Sequence, residues 1–205
     1  MTAPTIAVLD YGMGNLHSVT RAIAEVGGRP DVTDDPEVVV AAAALVIPGV
    51  GAFGACMRAL IERGLDRAIR VFVGTGRPVF GVCLGLQVLF TGSEEDADAG
   101  LAIVPGRCLR LPPTVKVPHM GWNTVSWLAP HPYVRGIPDG TRFYFVHSYA
   151  PELIDGATVG VTEHGRAFSS VISQQNVFAT QFHPEKSSDV GLQIYAAFVE
   201  TVAAA

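Results

Sequence analysis

The first ninety residues repeat one pattern: a short apolar β-like run, a turn rich in glycine or proline, then a segment with helical spacing. No other feature constrains the fold as tightly. The run TIAVLD (5–10) stops at an acidic residue and a glycine-rich turn. Leu16, Val19, Ile23 and Val26 then recur at helical spacing, with Asn15 placed to act as N-cap and Gly27 or Gly28 as the stop. ALVIPG (44–49) reads as a buried strand, ACMRALIERGLDRAIRVFVGTG as helix broken near Gly64, and PVFGV (78–82) as another strand. Alternation at this interval predicts right-handed βαβ units and a parallel sheet covered by helices.

After Gly92 the pattern changes. CLRLPP, TRFYFVHSY, ATVGVTEH, AFSSVIS and VFATQF are short extended pieces separated by Gly, Pro, Asp and Asn, which predicts antiparallel strands that extend the sheet. A helix from Asp189 to Val202 closes the chain, and TGSEEDADAG (91–100) reads as an exposed acidic loop. The expected fold class is α/β, a three-layer sandwich with a mostly parallel central sheet and an antiparallel extension in the second half. No linker, repeat or low-complexity tract interrupts residues 1–205, so one domain is expected.

A hydrophobic fraction of 49% in 205 residues suffices for a sizeable core. A net charge of -5 without a run of Lys and Arg argues against a nucleic-acid partner. The N-terminal MTAPTIAVLDYGMGN lacks the basic start and apolar core of a signal peptide, and no uncharged stretch is long enough to span a bilayer. The expectation is a cytoplasmic chain with no membrane partner. Cys56, Cys83 and Cys108 are odd in number and widely spaced, which fits neither a disulfide framework nor a zinc site.

One of these thiols stands apart. GVCLG (81–85) has the plan of a nucleophile elbow, a sharp strand-to-helix turn whose small neighbours, Gly81 and Gly85, let the backbone double back. A helix start after Cys83 favours its thiolate, and the turn directs the Leu84 amide toward an oxyanion formed there. Cys56 and Cys108 read as core filler. A base is available in ATQFHPEKS (179–187): on an extended segment His183 and Glu185 share a face, and Pro184 keeps His183 out of helical conformation. Cys83 as nucleophile, His183 as proton shuttle and Glu185 as the group that fixes its tautomer form a triad. His17, His131 and His164 read as structural, and no His and Cys pair has metal-ligand spacing.

GVCLGLQ and FHPE resemble the catalytic motifs of the class I glutamine amidotransferases, and the resemblance runs over nearly the whole chain. DYGMGNLHSV, PGVGAFGACM, PHMGWN and FYFVHSY are similar to one branch of that family, the glutaminases that serve imidazole glycerol phosphate synthesis in histidine biosynthesis. The resemblance implies a flavodoxin-like fold and hydrolysis of glutamine to glutamate and ammonia through a cysteinyl thioester, with no cofactor or metal. It implies a heterodimer with a cyclase subunit, a (β/α)8 barrel that consumes the channelled ammonia and makes imidazole glycerol phosphate and an aminoimidazole carboxamide ribotide. By the same resemblance Gln87 holds substrate glutamine, Glu95 or its neighbour Glu94 meets the α-amino group, and the backbone of Ser148 and Tyr149 contacts the α-carboxylate end. PGVG matches the oxyanion strand, where Gly49, Val50 and Gly51 join Leu84. Either the Val50 or the Gly51 amide completes the hole after a peptide flip. Trp122, Asn123 and Lys186 match interface positions, although Trp122 fits interior packing as well.

The sequence admits three rival readings. A glutaminase serving pyridoxal phosphate or anthranilate synthesis would share the triad. DYGMGN after the first strand admits a nucleotide-binding module, but falls short of Gly-x-Gly-x-x-Gly. A cysteine hydrolase of peptides would act without a partner.

Overall fold

In the computed structural model, which describes residues 4–204, the chain opens with the expected alternation. Strands β1 (Thr5–Leu9), β2 (Arg29–Thr33), β3 (Ala44–Ile47) and β4 (Val79–Val82) are separated by helices α1 (Leu16–Glu25), α2 (Pro36–Ala41), α3 (Phe53–Glu62) and α4 (Leu65–Val73). Asn15 Oδ1 accepts the Ser18 N–H and caps α1, and Gly64, with φ +69°, breaks the helical run between α3 and α4. One turn of helix, α5 (Leu84–Gln87), follows β4. The second half supplies β5 (Gly92–Ser93), β6 (Asp96–Ala99), β7 (Arg107–Arg110), β8 (His119–Trp127), β9 (Thr141–His147), β10 (Tyr149–Pro151), β11 (Thr158–Glu163), β12 (Ala167–Gln174), β13 (Val177–Thr180) and the C-terminal helix α6 (Ser188–Ala204).

Nine strands form the main sheet in the order β2-β1-β3-β4-β13-β12-β11-β8-β9. The first five run parallel and the rest antiparallel. VFATQF therefore needs a correction: β13 is antiparallel to β12 but parallel to β4, with Val177 opposite Val79 and Thr180 opposite Val82. A chain segment from the far end of the sequence thus closes the parallel block. The acidic segment 91–100 is not a free loop either. Its β5 and β6 pair as a hairpin in a second sheet, β10-β7-β5-β6, where Gly92 and Ser93 are buried. Alternating small and acidic residues gave this hairpin no apolar signature.

Strand pleating divides the core. In β1, Ile6 and Val8 face the layer of α1 and α6 while Ala7 and Leu9 face α2, α3 and α4; in β3, Ala44 and Val46 alternate with Leu45 and Ile47. Phe80 of β4 packs against Phe178, Tyr195 and Phe198 with ring centroids 5.3–5.5 Å apart. A buried aromatic of this kind contributes about 3–5 kcal/mol relative to alanine. Strand β2 escapes an apolar reading because RPDVT is an edge strand, where Pro30 lacks a donor that an interior strand would need. Helix α2 carries its own signal, since Asp35 Oδ1 accepts the Glu37 N–H at 2.8 Å and Pro36 occupies the first turn. Among the described residues no helix is long and apolar enough to cross a membrane.

The topology sets the site. Strands β3, β4 and β13 are neighbours in the parallel block, so the segments that leave their C-terminal ends, at Pro48, Cys83 and Gln181, emerge side by side. In open α/β sheets that edge is where ligands bind.

Candidate active site

Cys83 has φ 54° and ψ -106°, a conformation that side chains other than glycine rarely adopt. Two glycines make the turn possible by close approach. A Cβ on Gly85 would lie 1.7 Å from the Ile47 carbonyl oxygen, and one on Gly81 would lie 2.9 Å from the Gly85 oxygen. The Cys83 N–H donates to Thr180 O at 2.7 Å, which ties the elbow to β13. Because α5 is a single turn, its dipole is a smaller influence on the sulfur than the sequence implied.

His183 follows β13 and Glu185 sits in a 3-10 turn, Pro184–Lys186, rather than on a continued strand. The two side chains still meet: Nδ1 and Oε1 are 2.8 Å apart, both side chains 1% exposed. Proline ends the extended segment at His183, and the turn swings Glu185 back under the ring. Ser187 fixes that turn, donating from Oγ to His183 O at 2.7 Å and accepting the Tyr144 N–H at 3.0 Å. Burial pushes the His183 pKa down, but charge on Cys83 and the Glu185 carboxylate outweigh it and raise the ring to about 10. The other ring nitrogen, Nε2, is buried with no hydrogen-bond partner among the described residues.

Cys83 and His183 line one cavity of about 360 Å³ together with Val50, Gly51, Leu84, Gln87, Glu95, Val146, His147, Ser148 and Tyr149. Gln87, Glu95, Ser148 and Tyr149 thus share the space that holds the thiol and the imidazole. Glu95 lines the cavity while its Oε2 accepts the Phe53 N–H at 2.9 Å, capping α3 from across the fold; Glu94 instead accepts the Arg110 N–H on the exposed side of the hairpin. Gly49 reaches the site only through its carbonyl, which accepts the Leu84 N–H at 3.4 Å. The amide expected to face an oxyanion is therefore engaged by the chain itself. Tyr11 of the DYGMGN turn is buried and donates its hydroxyl to Pro48 O, so this turn braces the 48–51 segment instead of opening as a phosphate loop.

The three interface candidates separate. Trp122, 44% exposed, and Lys186 both border Tyr144: Trp122 meets its ring edge-on with centroids 6.3 Å apart, and the turn holding Lys186 is bonded to its backbone. Trp122 is not interior packing. Asn123 lies on the opposite face of β8, where its Nδ2 contacts His119 Nε2 at 3.2 Å and donates to Glu163 O at 3.0 Å.

Sequence reasoning missed Gln181, Val146 and the pair His119–His147. Gln181, fully buried, donates from Nε2 to Cys83 Sγ at 3.6 Å. His119 and His147 face each other across β8 and β9 with Nδ1 and Nε2 3.0 Å apart, and only recognition of β8 as a strand would have paired them. Cys56 and Cys108 are buried at 0% exposure; burial raises the Cys56 thiol to about 12 and holds Cys108 well above its usual value. Neither ionises near neutrality. Among the described residues no group of three or more His, Cys, Asp or Glu could hold a metal ion.

Comparison with known proteins places this geometry in context. The family model for "Glutamine amidotransferase class-I" matches residues 7–201. The chain is 50% identical over 200 residues to "Imidazole glycerol phosphate synthase subunit HisH" of Moorella thermoacetica, covering 96% of this chain and 95% of that one. It is 47% identical over 206 residues to the protein of the same name from Aromatoleum aromaticum, covering 95% and 97%. A crystal structure of a glutamine amidotransferase superposes with a TM-score of 0.72 at 22% identity, covering 97% of this chain and 98% of that one.

Proposed function

The chain belongs to the class-I glutamine amidotransferase family, and from that premise we propose that it is the glutaminase subunit of an imidazole glycerol phosphate synthase, acting in histidine biosynthesis. The observation that carries the chemistry is the shared cavity: a strained thiol and a buried imidazole clamped by a carboxylate open onto the same space. The thiolate of Cys83 adds to the side-chain amide carbon of glutamine. Charge collects on the former carbonyl oxygen, where each backbone donor is worth about 3 kcal/mol. His183, held protonated by its charged neighbours, gives its proton to the leaving nitrogen. Ammonia departs and leaves a thioester, which water, deprotonated by the now neutral ring, cleaves to glutamate.

Binding follows from which atoms are left over. Both amide hydrogens of Gln87 are engaged inside the protein, on Tyr149 O and Gln181 Oε1, so Gln87 offers a ligand its Oε1 as an acceptor. Glu95 keeps one carboxylate oxygen for the α-ammonium while the other caps α3. The backbone of Ser148 and Tyr149 borders the α-carboxylate end. The Gly49 carbonyl on Leu84 N–H supports a resting state in which the oxyanion hole is incomplete, until the 49–51 segment turns and the Val50 or Gly51 amide faces the sulfur.

Such an enzyme releases its ammonia into a partner rather than into water. We assign docking of a (β/α)8 cyclase to the surface around Trp122 and Lys186, with Asn123 shaping β8 from its other face. The working unit is then a heterodimer whose glutaminase half is a single domain, located in the cytoplasm. Glutamate release, measured with and without the cyclase and its ribotide, tests this reading. A steep rise on adding both supports it; an unchanged rate, or activation by a different synthase, overturns the assignment of partner.

A further inference from the structure

We propose that Gln181 is a positioning residue for the thiolate: its side-chain amide, oriented by hydrogen bonds of fixed polarity that are anchored at the Tyr149 carbonyl, donates an N–H to the sulfur of Cys83. The inference rests on Cys83 being the nucleophile of the reaction above.

The direction of the chain follows from donor and acceptor chemistry. A backbone carbonyl can only accept, so the group that Gln87 places 2.9 Å from Tyr149 O must be its NH₂. The same nitrogen lies 3.0 Å from Gln181, which must therefore present its oxygen. With Oε1 committed to Gln87, the Gln181 NH₂ points the other way, to Cys83 Sγ at 3.6 Å. Turning either amide over would set two donors or two acceptors against each other in a buried space. Gln181 is 0% exposed, so water offers its amide no alternative partner.

The Tyr149 carbonyl is itself held. His147 Nδ1 lies 2.9 Å from it, and since the oxygen accepts, Nδ1 carries the hydrogen and Nε2 is left to accept. His119 Nδ1, 3.0 Å away, then donates to that Nε2, and Asn123 Nδ2 donates to His119 Nε2. Every link from β8 to the sulfur has one allowed polarity. The sulfur also lies 3.9 Å from Val146 O, to which only the thiol can donate. The two contacts therefore select opposite protonation states: Val146 O suits the thiol and Gln181 the thiolate.

The test measures the thiolate fraction of Cys83 directly, from the pH dependence of its alkylation by iodoacetamide in the full chain. Cys56 and Cys108 are buried and held protonated, and a Cys83→Ala chain gives the background. Gln181→Glu keeps the acceptor for Gln87 and nearly the same volume but replaces the donor with an oxygen. Its alkylation midpoint is expected to rise by about one pH unit or more, a tenfold loss of thiolate below the midpoint. Gln181→Met, which removes the donor without adding charge, should move the midpoint less and in the same direction. A midpoint within about 0.2 pH unit of the unaltered chain in folded Gln181→Met overturns the proposal whatever Gln181→Glu does, since a carboxylate beside the sulfur raises the midpoint by its charge alone. If a variant does not fold, the unaltered chain labelled with ¹⁵N-glutamine decides. One side-chain amide pair should follow the Cys83 titration; no such response overturns the proposal. Because alkylation does not require glutamine turnover, failure here is distinguishable from failure of the glutaminase reading.

Discussion

Two sites in this protein bury imidazoles, and they treat them in opposite ways. His183, beside Glu185 and Cys83, is raised to about 10, whereas His147 is lowered to about 3 and His119 to about 4. Burial pushes all three down. Partners decide the rest: Cys83 and Glu185 both act to raise His183, while His119 and His147 face each other, a backbone carbonyl and an asparagine. An ion-paired ring is a proton donor at neutral pH. A ring paired with neutral groups is a fixed link that carries one hydrogen in one place. The first site can perform chemistry, and the second can only hold geometry.

The comparison breaks most visibly at Glu185. Glu185→Gln removes the charge but keeps the shape, so His183 should lose the part of its raised pKa that Glu185 supplies, and glutaminase turnover should fall by about 10²- to 10⁴-fold, read as initial rates of glutamate release. A variant with unchanged turnover would mean that the carboxylate does not set the protonation of the ring.

Next in size is the dependence of stability on pH, measured by denaturant unfolding. His119, His147 and His131, which burial lowers to about 4, have folded pKa values below the unfolded value near 6.5. In that window the unfolded chain binds more protons, so stability is complete above pH 6.5 and declines as pH falls toward 4, by at most about 1.4 kcal/mol per pH unit for each imidazole. His183 has the opposite sign. Its stabilisation is complete below 6.5 and is lost as pH rises toward about 10. A flat profile on the acid side would contradict the neutral state of the β8–β9 pair.

The smallest effect isolates a single neutral ring. His131 stacks on Phe178 with centroids 4.6 Å apart and accepts the Tyr133 N–H at 3.2 Å. His131→Phe should change stability at pH 7 by about 1 kcal/mol or less and make the acid slope shallower by one imidazole. An unchanged slope would show that His131 is not proton-linked.

What could be read from the sequence follows the range over which each interaction acts. The elbow at Cys83 was legible because its requirements, glycines on both sides and a strand before it, lie within five residues. His183 and Glu185 were legible as a pair, but for a reason the structure corrects: a 3-10 turn rather than strand alternation brings them together. The acidic hairpin and edge strand β2 were not legible, because strands with little apolar burial leave a weak period-2 signal. Gln181 stood two residues before His183 without distinction. Its role depends on Gln87 and Tyr149, 94 and 32 residues away, which only the folded sheet brings within reach. The His119–His147 pair likewise needs the β8–β9 register.

The proposed reaction depends most on charge separation between Cys83 and His183 in the cavity that we assign to glutamine. Covalent trapping with a glutamine analogue that is electrophilic at its side-chain carbonyl carbon, read by peptide mass spectrometry, tests that directly. We expect one adduct per chain, on Cys83, prevented by excess glutamine and slowed in a His183→Ala chain. An adduct on Cys56 or Cys108, or one on Cys83 that glutamine does not prevent, would contradict the account.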